Sequence, residues 1–439
     1  MTAHFTKKRL IFGLISMSAI VGVLLLLWHF IPKALTQNTL TEAKEHLEEW
    51  VTESPMRRPN SSALRLQDLG AELGINLDIP FPETYPIPPE KRNQFTEING
   101  DLARYIEALE QSADDQIPPI PESLQNYLTV HRDTLAEIRA HVLSGEPMDW
   151  GMHYDLNLDI DFEPNYRGFT GLLNLTHLLT LDAMERNLAG DASTALANLE
   201  TIAQLNQQIQ QKELNLWLNL IISRNIERRL VQNVRKLNNL PQDWQISRSD
   251  TVFYRRIANN FQNESALTSW NFLVNMDSDW LEDYGESASL LTRLKFLFIG
   301  PYVRLVVADN WRIGQNLPDA LSQADFCTTD LEQFKQENPE IKPSGWNYLA
   351  SEMLQWDSEW LIWAGLVLQW ELTDKVQKIK HLAQQEGQFP ASITGLNHSI
   401  CPDSRWVYTV NPDGTASILL EGVPPAFSDP DVFRYQIRQ

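Results

Sequence analysis

Residues 10–31, LIFGLISMSAIVGVLLLLWHFI, run for 22 residues without a charge. No other feature limits the chain so strongly. A helix of this length, at about 1.5 Å per residue, matches a hydrocarbon core roughly 30 Å thick. The spacing therefore predicts a single transmembrane helix over 10–31. Lys7, Lys8 and Arg9 precede the run, and only Lys33 follows it before an acidic helix begins. That bias keeps residues 1–9 in the cytoplasm and exports everything beyond the span. A cleavable secretory signal is the competing reading, but its apolar core is roughly 7–15 residues long and ends in small side chains. This run exits through Trp28-His29-Phe30-Ile31-Pro32-Lys33, which is bulky. An uncleaved signal anchor is expected, with Trp28 and His29 at the membrane–water interface. The address that follows is a bacterial inner membrane with the bulk of the chain in the periplasm. In a cyanobacterium a thylakoid membrane satisfies the same bias.

The chain holds 36 basic and 57 acidic residues, a formal charge of -21. The first 36 residues account for four of the basic ones and none of the acidic. The exported part thus carries 32 against 57, or -25. Nucleic acid is an improbable partner for such a surface, because the sequence-independent part of that binding comes from cations on phosphates. Anionic lipid repels the exported part as a whole, so the anchor rather than adhesion holds it to the membrane. The two cysteines, Cys327 and Cys401, both fall in the exported part. An oxidising compartment permits a disulfide between them, and two separate thiols are the alternative. Neither cysteine has the neighbouring Cys or His spacing of a metal site.

Patterning divides the exported chain. Residues 33–92 hold a short acidic helix from Leu35 and a proline-rich segment, including PFPETYPIPP at 80–89, too apolar for a solvated linker. Residues 93–343 form a helical domain. Phe95, Ile98, Leu102, Ile106 and Leu109, then Leu124, Leu128, Leu135, Ile138 and Val142, keep helical spacing around the break at PPIP. Further helices are expected over about 169–188, 192–210, up to Leu237, from Ser249-Asp250 to Trp280, and as a pair around Pro301. The stretch LDAMERNLAGDASTALANLETI resembles one tetratricopeptide-like hairpin turning at Gly190-Asp191, and an ordinary antiparallel pair explains it as well.

Residues 344–386 are expected to form one long Trp-rich helix, in which Leu349, Met353, Trp356, Trp360, Trp363, Val367 and Trp370 make a coiled-coil-like seam. Past Gly387 the pattern alternates. Trp406, Tyr408 and Val410, then Asn-Pro-Asp-Gly, then Ala416, Ile418 and Leu420 predict a hairpin in a C-terminal module over 387–439. The fold class is mainly α, with a single transmembrane helix, an exported tetratricopeptide-like or irregular helical bundle, and a small α+β hairpin module.

The C-terminal stretch carries Gly387, Phe389-Pro390-Ala391-Ser392-Ile393, Leu396, Tyr408 and Asn411-Pro412-Asp413-Gly414. It resembles the tail module of type II secretion pseudopilins, in which a helix ends near a glycine, a YPxSLxxL segment follows and an NPDG hairpin closes the unit. The resemblance covers about a tenth of the chain. Some 340 residues separate the N-terminal run from this module, unlike in a pseudopilin, and no prepilin processing site is visible. The resemblance implies a bacterial envelope address and no catalytic residue. The whole layout is similar to that of membrane-anchored bacterial envelope proteins of unassigned function.

Candidate chemistry is sparse. In Asp155-Leu-Asn-Leu-Asp-Ile-Asp-Phe-Glu163 a strand would put Asp155, Asn157, Asp159, Asp161 and Glu163 on one face. Asp155, Asp159, Asp161 and Glu163 are candidate Ca²⁺ ligands, since that ion takes six to eight oxygens. Same-face side chains nearly 7 Å apart cannot all share one ion, and a solvated strand face is the plainer reading. Asp159 and Glu163 could also serve as the acid/base pair of a glycan hydrolase. His177 sits in an apolar helix, where a satisfied core histidine is expected. Trp356, Trp360, Trp363 and Trp370 are core by their spacing, or an interaction surface if exposed. Arg224, Arg228 and Arg229 beside Glu227 read as an interhelical ion-pair network, with anion binding as the alternative. No nucleotide-binding or nucleophile motif occurs. The expected function is a non-enzymatic envelope scaffold with a protein partner; a carboxylate-dependent hydrolase and an accessory role in a secretion or pilus-like assembly are the alternatives.

Overall fold

The computed structural model describes residues 23–24, 26–28, 30–49, 59–77, 87–150, 169–212, 217–241, 243–246, 248, 253–277, 290–349, 356–427 and 430–438. Among them the chain is mainly helical, with one small antiparallel sheet. No helix of these residues is long and apolar enough to cross a membrane. Most of the expected span 10–31 lies outside them. The chain makes two compact units, one of residues 1–54, 261–320 and 338–355, the other of 55–260, 321–337 and 356–439.

In the first unit, residues 23–49 are helical wherever described and form α1. Helix α8 (Phe253–Asp277) enters this unit at Phe261, and α9 (Leu290–Leu321) supplies its third rod. His46 bonds Asn263 at 2.8 Å, Lys44 lies over Trp270, and Trp311 Nε1 donates to Glu42 at 3.2 Å. Gly314 lets α9 approach α8, since a Cβ there would stand 2.8 Å from the Ser265 hydroxyl oxygen. The sequence suggested two helices around Pro301. Instead α9 runs on through Pro301 and Pro318 as a single helix.

The second unit is a succession of helices α2 (Ser61–Glu72), α3 (Pro89–Gln111), α4 (Glu122–Leu143), α5 (Thr170–Leu188), α6 (Ala192–Lys212) and α7 (Trp217–Lys236). Prolines start α3 and precede α4, where the missing N–H costs no helical hydrogen bond. Helix α5 ends in a left-handed turn. Gly190 takes φ 81° while its N–H reaches the Asn187 carbonyl and that of Asp191 reaches Arg186. Asp191 then caps α6 through the Thr194 N–H at 3.2 Å.

Short α10 (Leu331–Glu337) leads to α11 (Trp356–Glu386), whose one face packs on α7. Its other face, Leu368, Leu372, Val376, Ile379 and Ala383, forms a core with Trp406, Ile418, Leu420, Phe433 and Tyr435 of the sheet. The sequence expected the Trp-rich helix to begin after Ser344. The described residues 344–349 are turns, and α11 is helical from Trp356.

Strands β1 (Arg405–Val410) and β2 (Ala416–Glu421) pair antiparallel around the Asn411–Gly414 turn. There Gly414 adopts φ 82° and the Asn411 N–H closes on the Thr415 carbonyl at 2.8 Å. A third strand, β3 (Arg434–Ile437), pairs with β2 and was not foreseen.

Cys327 and Cys401 are joined by a disulfide, with Cα atoms 5.1 Å apart. The sequence left the bond and two free thiols open. Closing so long a loop restricts the unfolded chain by about 4 kcal/mol in the chain-entropy model. Reduction, or a Cys327→Ser/Cys401→Ser double variant, should lower unfolding free energy by that order in urea titration, with the helical circular dichroism retained. Trp360, wholly buried, should cost about 3–5 kcal/mol as Trp360→Ala by the same measurement.

Candidate functional site

The structure buries all four seam tryptophans: Trp356 is 3 % exposed, Trp360 0 %, Trp363 2 % and Trp370 5 %. They are core, and the interaction-surface alternative is corrected. The seam faces inward because α11 is covered on two sides. The Ca²⁺ candidates Asp155, Asp159, Asp161 and Glu163, with Asn157, lie outside the described residues. Among the described residues no cluster of His, Cys, Asp and Glu is arranged to hold a metal ion.

The arginines of α7 form ion pairs, but not with Glu227. Arg224 pairs with Glu359 of α11, and Arg229 and Arg228 both meet Glu110 of α3. Glu227 instead accepts from Asn206 at 3.0 Å and from Trp370 Nε1 at 2.6 Å. Arg228 and Arg229 stand one and two positions from Glu227, spacings that do not face each other on a helix, and Arg224, three positions away, is taken up by Glu359. Burial pushes the Glu359 carboxyl above its ordinary range against the pull of Arg224.

Around Arg229 lies a cleft lined by Glu110, Thr176, His177, Thr180, Arg229 and Asn233, with apolar walls from α3, α6 and α7. Arg229 Nη1 stands 2.6 Å from His177 Nε2. A guanidinium only donates, so Nε2 accepts and the imidazole proton sits on Nδ1. Burial, aided by the Arg229 charge, depresses the His177 pKa to about 4. The enclosed space is about 10 Å³, room for roughly one water and far below the 300–1,000 Å³ of a ligand pocket. The group can hold a neutral imidazole and a water between two opposite charges.

A second polar cluster joins α7, α11, β3 and the loop between α3 and α4. Lys236 Nζ donates to Ser112 Oγ at 2.8 Å and to the carbonyls of Asp114 and Gln116, each at 3.0 Å. Burial lowers its pKa to about 8. Lys380 Nζ pairs with Asp115 at 2.6 Å and donates to the Arg235 carbonyl. Asp115 also accepts from the Tyr435 hydroxyl and the Arg438 N–H, each at 2.8 Å, and Asp114 accepts from the Gln436 N–H. Every one of these ties runs between elements, so the cluster is a clasp. Sequence reasoning named His177 and Arg229 separately but missed Glu110 and the whole clasp, because Glu110 and Asp115 carry no local signal of partners more than a hundred residues away.

No family model matches the chain, and no curated protein or solved structure matches it.

His177 gives a pH signature with a definite sign. Its folded pKa lies below the ordinary 6.5, so the unfolded chain binds the proton more readily. Stability is full above about pH 6.5 and falls as pH drops toward about 4, by up to roughly 3 kcal/mol from this residue. His131, also lowered by burial, adds in the same direction. Urea titrations across that range should show the loss, and His177→Gln, which keeps an acceptor but does not titrate, should flatten the profile.

Proposed function

We propose that the chain is a single-pass protein of a bacterial envelope, anchored near its N-terminus, whose exported region is a non-enzymatic scaffold for another envelope protein. One observation carries the anchor. Val23, Leu24, Leu26, Leu27, Trp28, Phe30 and Ile31 of α1 are 41–60 % exposed, and they belong to the uncharged run 10–31. Farther along the same helix Thr36, Ala43 and Leu47 are buried. A helix that leaves so much apolar surface open at one end finds its natural solvent in hydrocarbon. The Cys327–Cys401 bond fits an oxidising compartment.

The scaffold reading is supported by the polar groups of the second unit. The arginines of α7 and the lysines of the clasp are engaged with partners within the fold, and the Glu110–His177–Arg229 cleft has room for a water rather than a substrate. Accessory membership of a secretion or pilus-like assembly is the second reading, favoured by the hairpin built on Asn411-Pro412-Asp413-Gly414.

The full chain should stay in the membrane pellet after alkaline carbonate. A Ser193→Cys variant, on the exposed start of α6, should react with an impermeant maleimide in intact spheroplasts. Release by carbonate, or labelling only after lysis, would overturn the anchor and its orientation. Crosslinking in native membranes should recover the same envelope partners reproducibly; an uncrosslinked monomer would overturn the scaffold.

A further inference from the structure

We infer that Ile299, Tyr302, Trp346, Tyr348 and Leu349 form an interfacial foot that seats the first unit on the headgroup layer of the bilayer. The inference rests on the anchor reading and adds a second point of membrane contact to it.

The foot is held in place by polar groups. Asp309, 5 % exposed, accepts from the Ser344 N–H at 2.9 Å, the Ser344 hydroxyl at 2.7 Å and Asn347 Nδ2 at 2.9 Å. Burial opposes its ionisation, but the hydrogen bonds from Asn347, Ser344 and Arg312 prevail and hold its pKa below the ordinary value. Arg312 bonds Asp309 and reaches the Glu340 and Lys342 carbonyls. Loop 340–347 is therefore pinned to α9. The Tyr302 hydroxyl donates to the Trp346 carbonyl at 3.3 Å and accepts from the Tyr348 N–H at 3.1 Å, with its ring edge-on to Trp346.

What this framework presents is apolar. Tyr348 is 81 % exposed, Ile299 50 %, Trp346 41 % and Leu349 37 %. Trp and Tyr, with an apolar ring and a polar edge, are the side chains that favour the membrane–water interface.

Helix direction sets the level of the foot. Residues 46 and 44 of α1 meet 263 and 270 of α8, so these two helices are antiparallel. Positions 265 and 269 of α8 meet 314 and 307 of α9, so these are antiparallel as well. Helices α1 and α9 therefore run in the same direction, with Glu42 beside Trp311. Descending from that contact, Ile31 lies about 17 Å below Glu42, and Tyr302 and Ile299 lie about 14 and 18 Å below Trp311 at roughly 1.5 Å per residue. The foot is thus level with the end of the apolar run.

The test uses the full chain, disulfide intact, in vesicles of phosphatidylethanolamine and phosphatidylglycerol. A Tyr348→Cys variant carries an environment-sensitive fluorophore, and Glu49→Cys, exposed at the far end of α1 in the same unit, is the reference. The expected result at 348 is a blue shift, with quenching by lipids bearing a nitroxide high in the acyl chain, neither of which occurs at 49. A carbonate-resistant protein whose fluorophore at 348 behaves like that at 49 would overturn the foot and leave the anchor standing. A blue shift without lipid quenching would assign the patch to a second copy or another protein, and also overturns it. A chain that never enters the vesicles would overturn the anchor reading and the foot with it. Leu349→Cys repeats the measurement at an independent position.

Discussion

Arg235, Lys236 and Lys380 are cations placed where water is scarce, and the second unit closes only because each finds oxygen there. Removing a charge from water costs several kcal/mol, which is recovered only with good geometry and saturated hydrogen bonding. Here most of the saturation comes from far along the chain: Ser112 and carbonyls of the loop after α3 for Lys236, the Asp115 carboxylate and the carbonyls at the end of α7 for Lys380, and the Gln369 side chain for Arg235. Helix α11 adds Gln377, which donates to the Val234 carbonyl at 2.7 Å. The positions of α7, α11 and β3 are thereby set by one shared group of polar atoms, and the apolar contacts of α11 fill in around it.

How much of this was legible in the sequence depended on the range of the interaction. Helices α3 to α7 are written in local spacing, and so is the β1–β2 hairpin, whose Asn-Pro-Asp-Gly turn states its own geometry. The inward direction of Trp356, Trp360, Trp363 and Trp370 also followed from spacing alone. What failed was context. Pro301 looks like a break, yet α9 continues through it in a packed unit. Strand β3 is four residues long and has meaning only because Ile418 and Tyr435 pair across the sheet. The partners of Arg224 and Arg229 lie 135 and 119 positions away, and helical periodicity carries no information at that distance.

The two units use their polar groups differently. In the second, buried charges face one another and tie helices to the sheet. In the first, Asp309 and Arg312 hold a loop whose most prominent side chains are apolar and exposed. Asp309, with its hydrogen bonds filled by Ser344, Asn347 and Arg312, fixes the loop that carries Trp346 and Tyr348, and on the proposed reading that fixed surface is the one that meets the bilayer. A similar division runs along α1, where Thr36, Ala43 and Leu47 are buried and the described apolar side chains from Val23 to Ile31 are exposed.

The first unit is assembled from three separated stretches of chain, and this has a consequence for the order of events during synthesis. Helix α1 emerges early, but Asn263, which meets His46, follows 217 residues later, and the loop carrying Trp346 later still. In between, α2 to α7 are complete and free to pack on one another, since domains tend to fold as units as they appear. The N-terminal helix must therefore wait without its neighbours while most of the other unit takes shape. On the proposed anchor reading the helix can wait in that way, because its apolar end is solvated in the bilayer before its polar end is paired.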